Sequence, residues 1–192
     1  MTPEEVGARL AELVGEDVTY EVSYGAVTLD VPTARWVEAA AAARTDEQLS
    51  ATYFDWLSAV DELDGFSVLL HLWSLTRHHH VLLRTRLPHD NPSLPTLIGV
   101  FAGASWHERE THEMFGIAFD GHPGLVPLLL PEGFEGHPLR KEFVLASRVA
   151  KQWPGGKEPG EREDAAEGSP SRRRMQPPGV PEPGTWGPEA TR

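Results

Sequence analysis

Cysteine is absent from the chain, which removes disulfides, thiolate-held iron–sulfur clusters and thiol nucleophiles in one step. Long apolar runs are missing too. Stretches such as Ser67 to Leu75 fall well short of the roughly 20 residues a bilayer span needs, and the N-terminus carries Glu4 and Glu5 in its first turn. Neither a signal peptide nor a membrane span is therefore expected. Positive charge is scarce as well: the formal charge is -12. The segment 151–192 carries 7 basic and 7 acidic side chains, so the whole negative balance lies in residues 1–150. A field of that sign repels phosphate backbones and anionic lipid. Nucleic acid is excluded as an expected partner, and a protein with basic patches is favoured.

Several catalytic signatures are also missing. There is no G-x-S-x-G, no Walker glycine loop and no G-x-G-x-x-G, so nucleophilic, phosphoryl and dinucleotide chemistry lack sequence support. What remains is 40% hydrophobic and 24% charged, enough to build one packed domain. Pro3, Glu4 and Glu5 followed by Val6, Leu10, Leu13 and Val14 predict an amphipathic helix over 3–14, closed at Gly15. Val18, Tyr20 and Val22, a Tyr24-Gly25 turn, and Val27, Leu29 and Val31 predict a hairpin. The alanine-rich stretch 33–44 reads as a helix. So does 46–57, where Leu49, Tyr53, Phe54 and Leu57 fall along one side. Strand formers fill 66–75 and 80–87 around a turn at 76–78, and Pro88, Pro92 and Pro95 predict an exposed connection over 88–96. The fold class expected is α+β, with helices packed on a mainly antiparallel sheet.

The last 42 residues hold 8 Pro and 7 Gly with few aliphatic side chains, too little apolar area to fold alone. Residues 1–150 are thus read as the domain. Residues 151–192 are read as a solvated tail, or as an arm anchored on a partner through Trp153, Trp186 or Ser171 to Arg174.

Most chemistry-bearing residues cluster from Trp106 to Phe143. Ser105-Trp106-His107-Glu108 has the form of a capping box, predicting a helix from Trp106 to Phe115 closed by Gly116. Large apolar residues are few in it, while Glu108, Arg109, Glu110, His112 and Glu113 are ionisable, so this helix must face water or sit in a satisfied polar interface. His107 and His112 are five apart, about 140° around a helix of 3.6 residues per turn. They cannot imitate the four-residue spacing of a zinc protease. Glu108 and Glu110 do not face each other as an acid–base pair would. The expected roles are capping for Glu108 and pairing with a neighbouring basic group for Glu110. His78-His79-His80, at the turn or edge of a strand where neighbours alternate faces, reads as a polar edge and not as a ligand set. In Gly121-His122-Pro123 and Gly136-His137-Pro138, the glycine permits positive φ and the proline holds the histidine extended, so both triplets read as fixed bends.

The order Glu108-Arg109-Glu110, Met114-Phe115-Gly116-Ile117, Gly121-His122-Pro123, and Gly136-His137-Pro138-Leu139-Arg140-Lys141 closely resembles the 30-kilodalton or C subunit of NADH-quinone oxidoreductase, respiratory complex I. The resemblance extends back through Phe54-Asp55-Trp56 and His71 to Leu75, covering roughly residues 50–145. It implies an α+β subunit of the peripheral arm, on the cytoplasmic face of the membrane, without flavin, cluster, metal or active site of its own. The implied partners are the D subunit, which reduces quinone, and the cluster-bearing B and I subunits. The partner-facing set is expected to comprise Glu108, Arg109, Glu110, His122, Pro123, His137, Pro138, Arg140 and Lys141. Two departures from the family pattern stand out: His112-Glu113, and Gly124-Leu125-Val126-Pro127 where Asp-Leu-Arg-Arg is usual. The second removes two arginines and a backbone donor. It leaves room for an equivalent subunit of a related membrane-bound hydrogenase or deazaflavin-dependent dehydrogenase.

Overall fold

A computed structural model describes residues 1–144. The order is helix α1 (Pro3–Val14), strands β1 (Thr19–Ser23) and β2 (Ala26–Asp30), a 3-10 turn (Thr33–Arg35) leading into α2 (Trp36–Thr45), strands β3 (Tyr53–Asp61), β4 (Phe66–Ser74), β5 (His79–Leu87) and β6 (Ser93–Pro95), helix α3 (Ala104–Phe115), and β7 (Ala118–Asp120). Five strands form one sheet in the order β1-β2-β5-β4-β3, antiparallel except where β2 meets β5. This is the α+β class that the sequence implies. The tail over 151–192 and its proposed anchors lie outside the described residues.

Local chemistry sets each element. Thr2 and Glu5 form a reciprocal capping box at the start of α1, where Pro3 costs no hydrogen bond. Val6, Leu10 and Val14 then fall on its buried side. In the sheet, register aligns Leu57, Leu70, Leu83 and Leu29 in one row across four strands. All four are essentially fully buried, and burying each is worth about 1.5–3 kcal/mol. Alternation sends Leu69, His71 and Trp73 of β4 and His80, Leu82 and Arg84 of β5 to the opposite, more open face.

Four expectations need correcting. Residues 46–57 are not a helix: α2 stops at Thr45, and Asp46 Oδ1 accepts the N–H groups of Gln48 and Leu49 at 3.0 Å, so the chain turns there. Strand β3 follows. Its register with β4 shifts between Phe54 and Trp56, and this bulge at Asp55 breaks the two-residue period by which the strand would have been recognised. The connection 88–96 is exposed only in its first half. Ser93–Pro95 pairs in parallel with β7, and Leu94 is buried. His79 is not part of a polar edge: it opens β5, the central strand, on the inner face and buried, with neither ring nitrogen hydrogen-bonded among the described residues. Burial pushes its pKa below the ordinary imidazole value. The capping box at Ser105 is not made either. Helix α3 begins at Ala104 with Gly103 at its cap, so Ser105 lies inside the first turn and Glu108 turns to another partner.

Candidate functional site

Helix α3 packs against β3, and the chain after it, residues 116–144, folds back along the helix. Polar groups define this platform. Glu108 is 0% exposed. Its carboxylate accepts the Leu97 N–H at 2.7 Å and the Thr96 hydroxyl, pinning the loop that leads into α3. Burial raises its pKa, against the opposing pull of those hydrogen bonds. Glu108 is therefore an internal brace and leaves the partner-facing set. Glu113, also buried, accepts three successive N–H groups, from Leu128 at 3.2 Å, Leu129 at 2.9 Å and Leu130 at 2.9 Å. A carboxylate satisfied in this way fixes a loop whose backbone has no strand to pair with.

The C-terminus of α3 is completed by the second Gly-His-Pro motif. The last four carbonyls of a helix have no intrahelical partner. Here the His112 carbonyl accepts Gly116 N–H at 2.7 Å, and Glu113 O receives His137 Nδ1 at 2.8 Å. Met114 O accepts Leu139 N–H at 3.2 Å, and Phe115 O accepts Arg140 Nε at 2.6 Å. The Arg140 guanidinium also lies 5.2 Å from the centre of the Phe66 ring. A cation at the negative end of the helix dipole adds to this cap. Gly116 has φ 73°, and a Cβ there would meet His137 Nε2 at 2.6 Å and Arg140 at 2.7 Å. Only glycine fits. The next residue, Lys141, donates its N–H to Asp61 Oδ2 at 2.7 Å, while Asp61 Oδ1 lies 2.8 Å from His89 Nε2. Burial pushes the Asp61 carboxyl up, but these hydrogen bonds outweigh it and hold the pKa below the ordinary range.

The first Gly-His-Pro motif is tied similarly. Gly124 N–H donates to His122 Nδ1 at 2.9 Å, which places the proton of the neutral ring on Nε2, 3.2 Å from Ser105 O. Gly121 and Gly136 have φ 85° and 90°, so both triplets are bends. Arg109 holds the divergent segment: Nε reaches Val126 O at 3.0 Å and a terminal nitrogen reaches Pro127 O at 2.7 Å, with the guanidinium 5.9 Å from the Trp106 ring. Glu110 is exposed and makes no ion pair among the described residues, contrary to its expected pairing.

The two α3 histidines point to different elements. His107 Nδ1 lies 3.3 Å from Leu57 N and 3.2 Å from Leu57 O, on the free edge of β3. His112 Nδ1 lies 2.8 Å from Ile117 O. No group of three or more His, Asp or Glu residues suited to a metal occurs among the described residues.

Among the charged side chains that the platform leaves outward stand four large apolar ones. Trp106 is 64% exposed, Val126 58%, Leu129 59% and Leu139 54%. Trp106 lies on α3 itself, and the other three are tethered to that helix by their own backbone groups, through Arg109, Glu113 and the Met114 carbonyl. Trp106, Val126 and Leu139 stand inside the motifs quoted above, but those motifs draw attention to their polar neighbours. Their signal is weaker: large apolar side chains scattered through a polar segment with no helical or strand period.

Comparison with known proteins bears on the same region. The sequence pattern of the family described as "Respiratory-chain NADH dehydrogenase, 30 Kd subunit" matches residues 29–149. The chain is 39% identical over 152 residues to the C subunit of NADH-quinone oxidoreductase of Mycolicibacterium gilvum, covering 74% of this chain and 67% of that one. It is 41% identical over 126 residues to the protein of the same name in Roseiflexus sp., covering 64% and 72%. A protein of Citrobacter koseri named as the C/D subunit of NADH-quinone oxidoreductase is 48% identical over 98 residues, 51% of this chain and 16% of that longer one. Among solved structures, the trypsin-resistant fragment of Nqo5 superposes with a TM-score of 0.53 at 24% identity, over 63% of this chain and 94% of the fragment. The last likeness speaks to fold alone.

Proposed function

Because the chain belongs to the family of the 30 kDa subunit of respiratory-chain NADH dehydrogenase, we propose that it is a non-catalytic docking subunit of the peripheral arm of a proton-translocating NADH-quinone oxidoreductase. It seats on the quinone-reducing D subunit and borders the cluster-bearing B and I subunits, on the cytoplasmic face of the membrane. The α3 platform carries this reading: Glu108, Arg109, Glu113 and Arg140 are engaged within the chain, while the large apolar side chains of Trp106, Val126, Leu129 and Leu139 are left outward. Aromatic and aliphatic anchors of that kind, surrounded by polar groups, are the usual core of a protein interface. Relatives named for the C and D subunits together support the D subunit as the neighbour. No helix among the described residues is long and apolar enough to cross a membrane, and on this reading the attachment runs through other subunits.

On this reading the partner-facing residues are Trp106, Arg109, Glu110, Val126, Leu129 and Leu139, together with His122, Pro123, His137, Pro138 and Lys141 around them. Arg140 shapes the surface from behind by capping α3. The segment 124–127 supports a second host, an equivalent subunit of a membrane-bound hydrogenase or deazaflavin-dependent dehydrogenase complex, since its contacts cannot be those of paired arginines. Co-purification with a tagged D subunit from membranes of the native host tests the assignment. Recovery of this chain with the B, D and I subunits is expected; an intact peripheral arm lacking it contradicts the proposal.

A further inference from the structure

The outer face of the sheet carries a group of side chains that the α3 platform does not use. Register places Trp56 beside His71, and Trp73 beside His80 in the neighbouring pair. His71 and His80 are diagonal neighbours on adjacent strands, with ring centroids 5.4 Å apart. Asp55, the extra residue of the β3 bulge, sets its Oδ2 2.8 Å from His71 Nδ1. With that carboxylate accepting, the neutral ring carries its proton on Nδ1 and keeps a lone pair on Nε2. A carboxylate behind an imidazole is the arrangement that orients metal-binding histidines and raises their basicity.

Both rings are also braced by tryptophan. Trp56 stacks on His71 at 5.6 Å and 16°, and Trp73 meets His80 edge-on at 4.2 Å. Burial, and then the neighbouring His71, lower the pKa of His80 against the pull of Asp55. Two imidazole nitrogens each about 2.0–2.1 Å from one ion at a tetrahedral angle set the ring centroids about 5 Å apart. The observed separation matches that spacing.

We propose that His71 and His80, with Asp55 orienting His71, form an open two-imidazole site for a divalent transition-metal ion that prefers nitrogen ligands, such as Zn²⁺, Cu²⁺ or Ni²⁺. Imidazole donors select these ions over Mg²⁺ or Ca²⁺, which take oxygen. No third His, Asp or Glu ligand is grouped with them among the described residues. Water, or a donor from an adjoining protein, completes the coordination, and the affinity of the isolated chain is modest.

The test uses the untagged full chain, titrated with Cu²⁺ and with Zn²⁺ while binding heat and tryptophan emission are followed. One equivalent is expected to bind with a Kd below about 100 μM, and Cu²⁺ is expected to quench the flanking tryptophans. His71→Gln and His80→Gln should each weaken binding by about 10-fold or more, Asp55→Asn by about 10-fold, and His78→Gln should leave it unchanged. In the unaltered protein, substoichiometric Cu²⁺ should broaden the imidazole proton resonances of His71 and His80 first, a readout that requires no variant to fold. Wild-type affinity in both glutamine variants, first broadening at other histidines, or no stoichiometric binding in that range would each overturn the proposal.

Discussion

The sheet and the α3 platform are stabilised by different chemistry. In the sheet, Leu57, Leu70, Leu83 and Leu29 stack in one buried row, and burial of apolar area carries the stability. In residues 104–144 the ties are directional: Glu113 to three backbone N–H groups, and His137, Leu139 and Arg140 to the carbonyls that end α3. Phe115, Ile117 and Phe119 anchor this region in the core, and the hydrogen bonds shape its outer surface without burying the large side chains that lie on it. Trp106, Val126, Leu129 and Leu139 thereby stay available to a partner. The sheet carries most of the buried apolar area, and the α3 region carries the presented surface.

The contrast can be broken most forcefully in the sheet. Leu83→Ala empties space at the middle of the row and should cost about 2–5 kcal/mol, read as a lower urea midpoint for the whole chain. Next comes Glu113→Ala, which leaves three N–H groups of 128–130 without their acceptor. A cost of about 1–3 kcal/mol is expected, felt locally as faster amide exchange and proteolysis within 121–136. If the urea midpoint instead fell as far as in Leu83→Ala, the two regions would be one cooperative unit. Gly116→Ala should cost about 1–2 kcal/mol from its left-handed backbone alone. It should also displace His137 and Arg140, seen as loss of amide protection at Leu139.

The smallest effect expected is one of pH. The Asp61 pKa is depressed in the folded chain, so its contribution is complete above the ordinary carboxylate value of about 3.9 and is lost as pH falls through the lower folded value. Amide exchange at Lys141, corrected for the intrinsic rate, should accelerate over that acid window in the native chain. In Asp61→Asn the same step should be missing.

The sequence revealed the first region better than the second. Helix α1 announces itself by the period that burial on one face imposes, α2 by its run of alanines, and strands β4 and β5 by their strand formers, while the Gly116 stop and the two Gly-His-Pro bends follow from backbone sterics. Strand β3 was hidden by the bulge at Asp55, which shifts the alternation midway. Glu108 has the spacing of a cap residue, yet its partner is the 96–97 loop. Its role depends on a contact between segments, which local spacing does not encode. The same holds for Arg140, whose charge suggests a partner contact while its Nε caps α3. Hydrogen bonds across a fold leave no periodic trace, so a platform built from them is legible only through the resemblance of its motifs.

The most direct test of the division between stability and presentation is recovery on an immobilised D subunit of three forms of the chain: unaltered, Trp106→Ala with Leu139→Ala, and Val60→Ala on the exposed part of β3. The account predicts that all three unfold at closely similar temperatures, and that only the double variant loses recovery, by about 10-fold or more, as removal of interface anchors does. Full recovery of the double variant, or an equal loss in Val60→Ala, would contradict it.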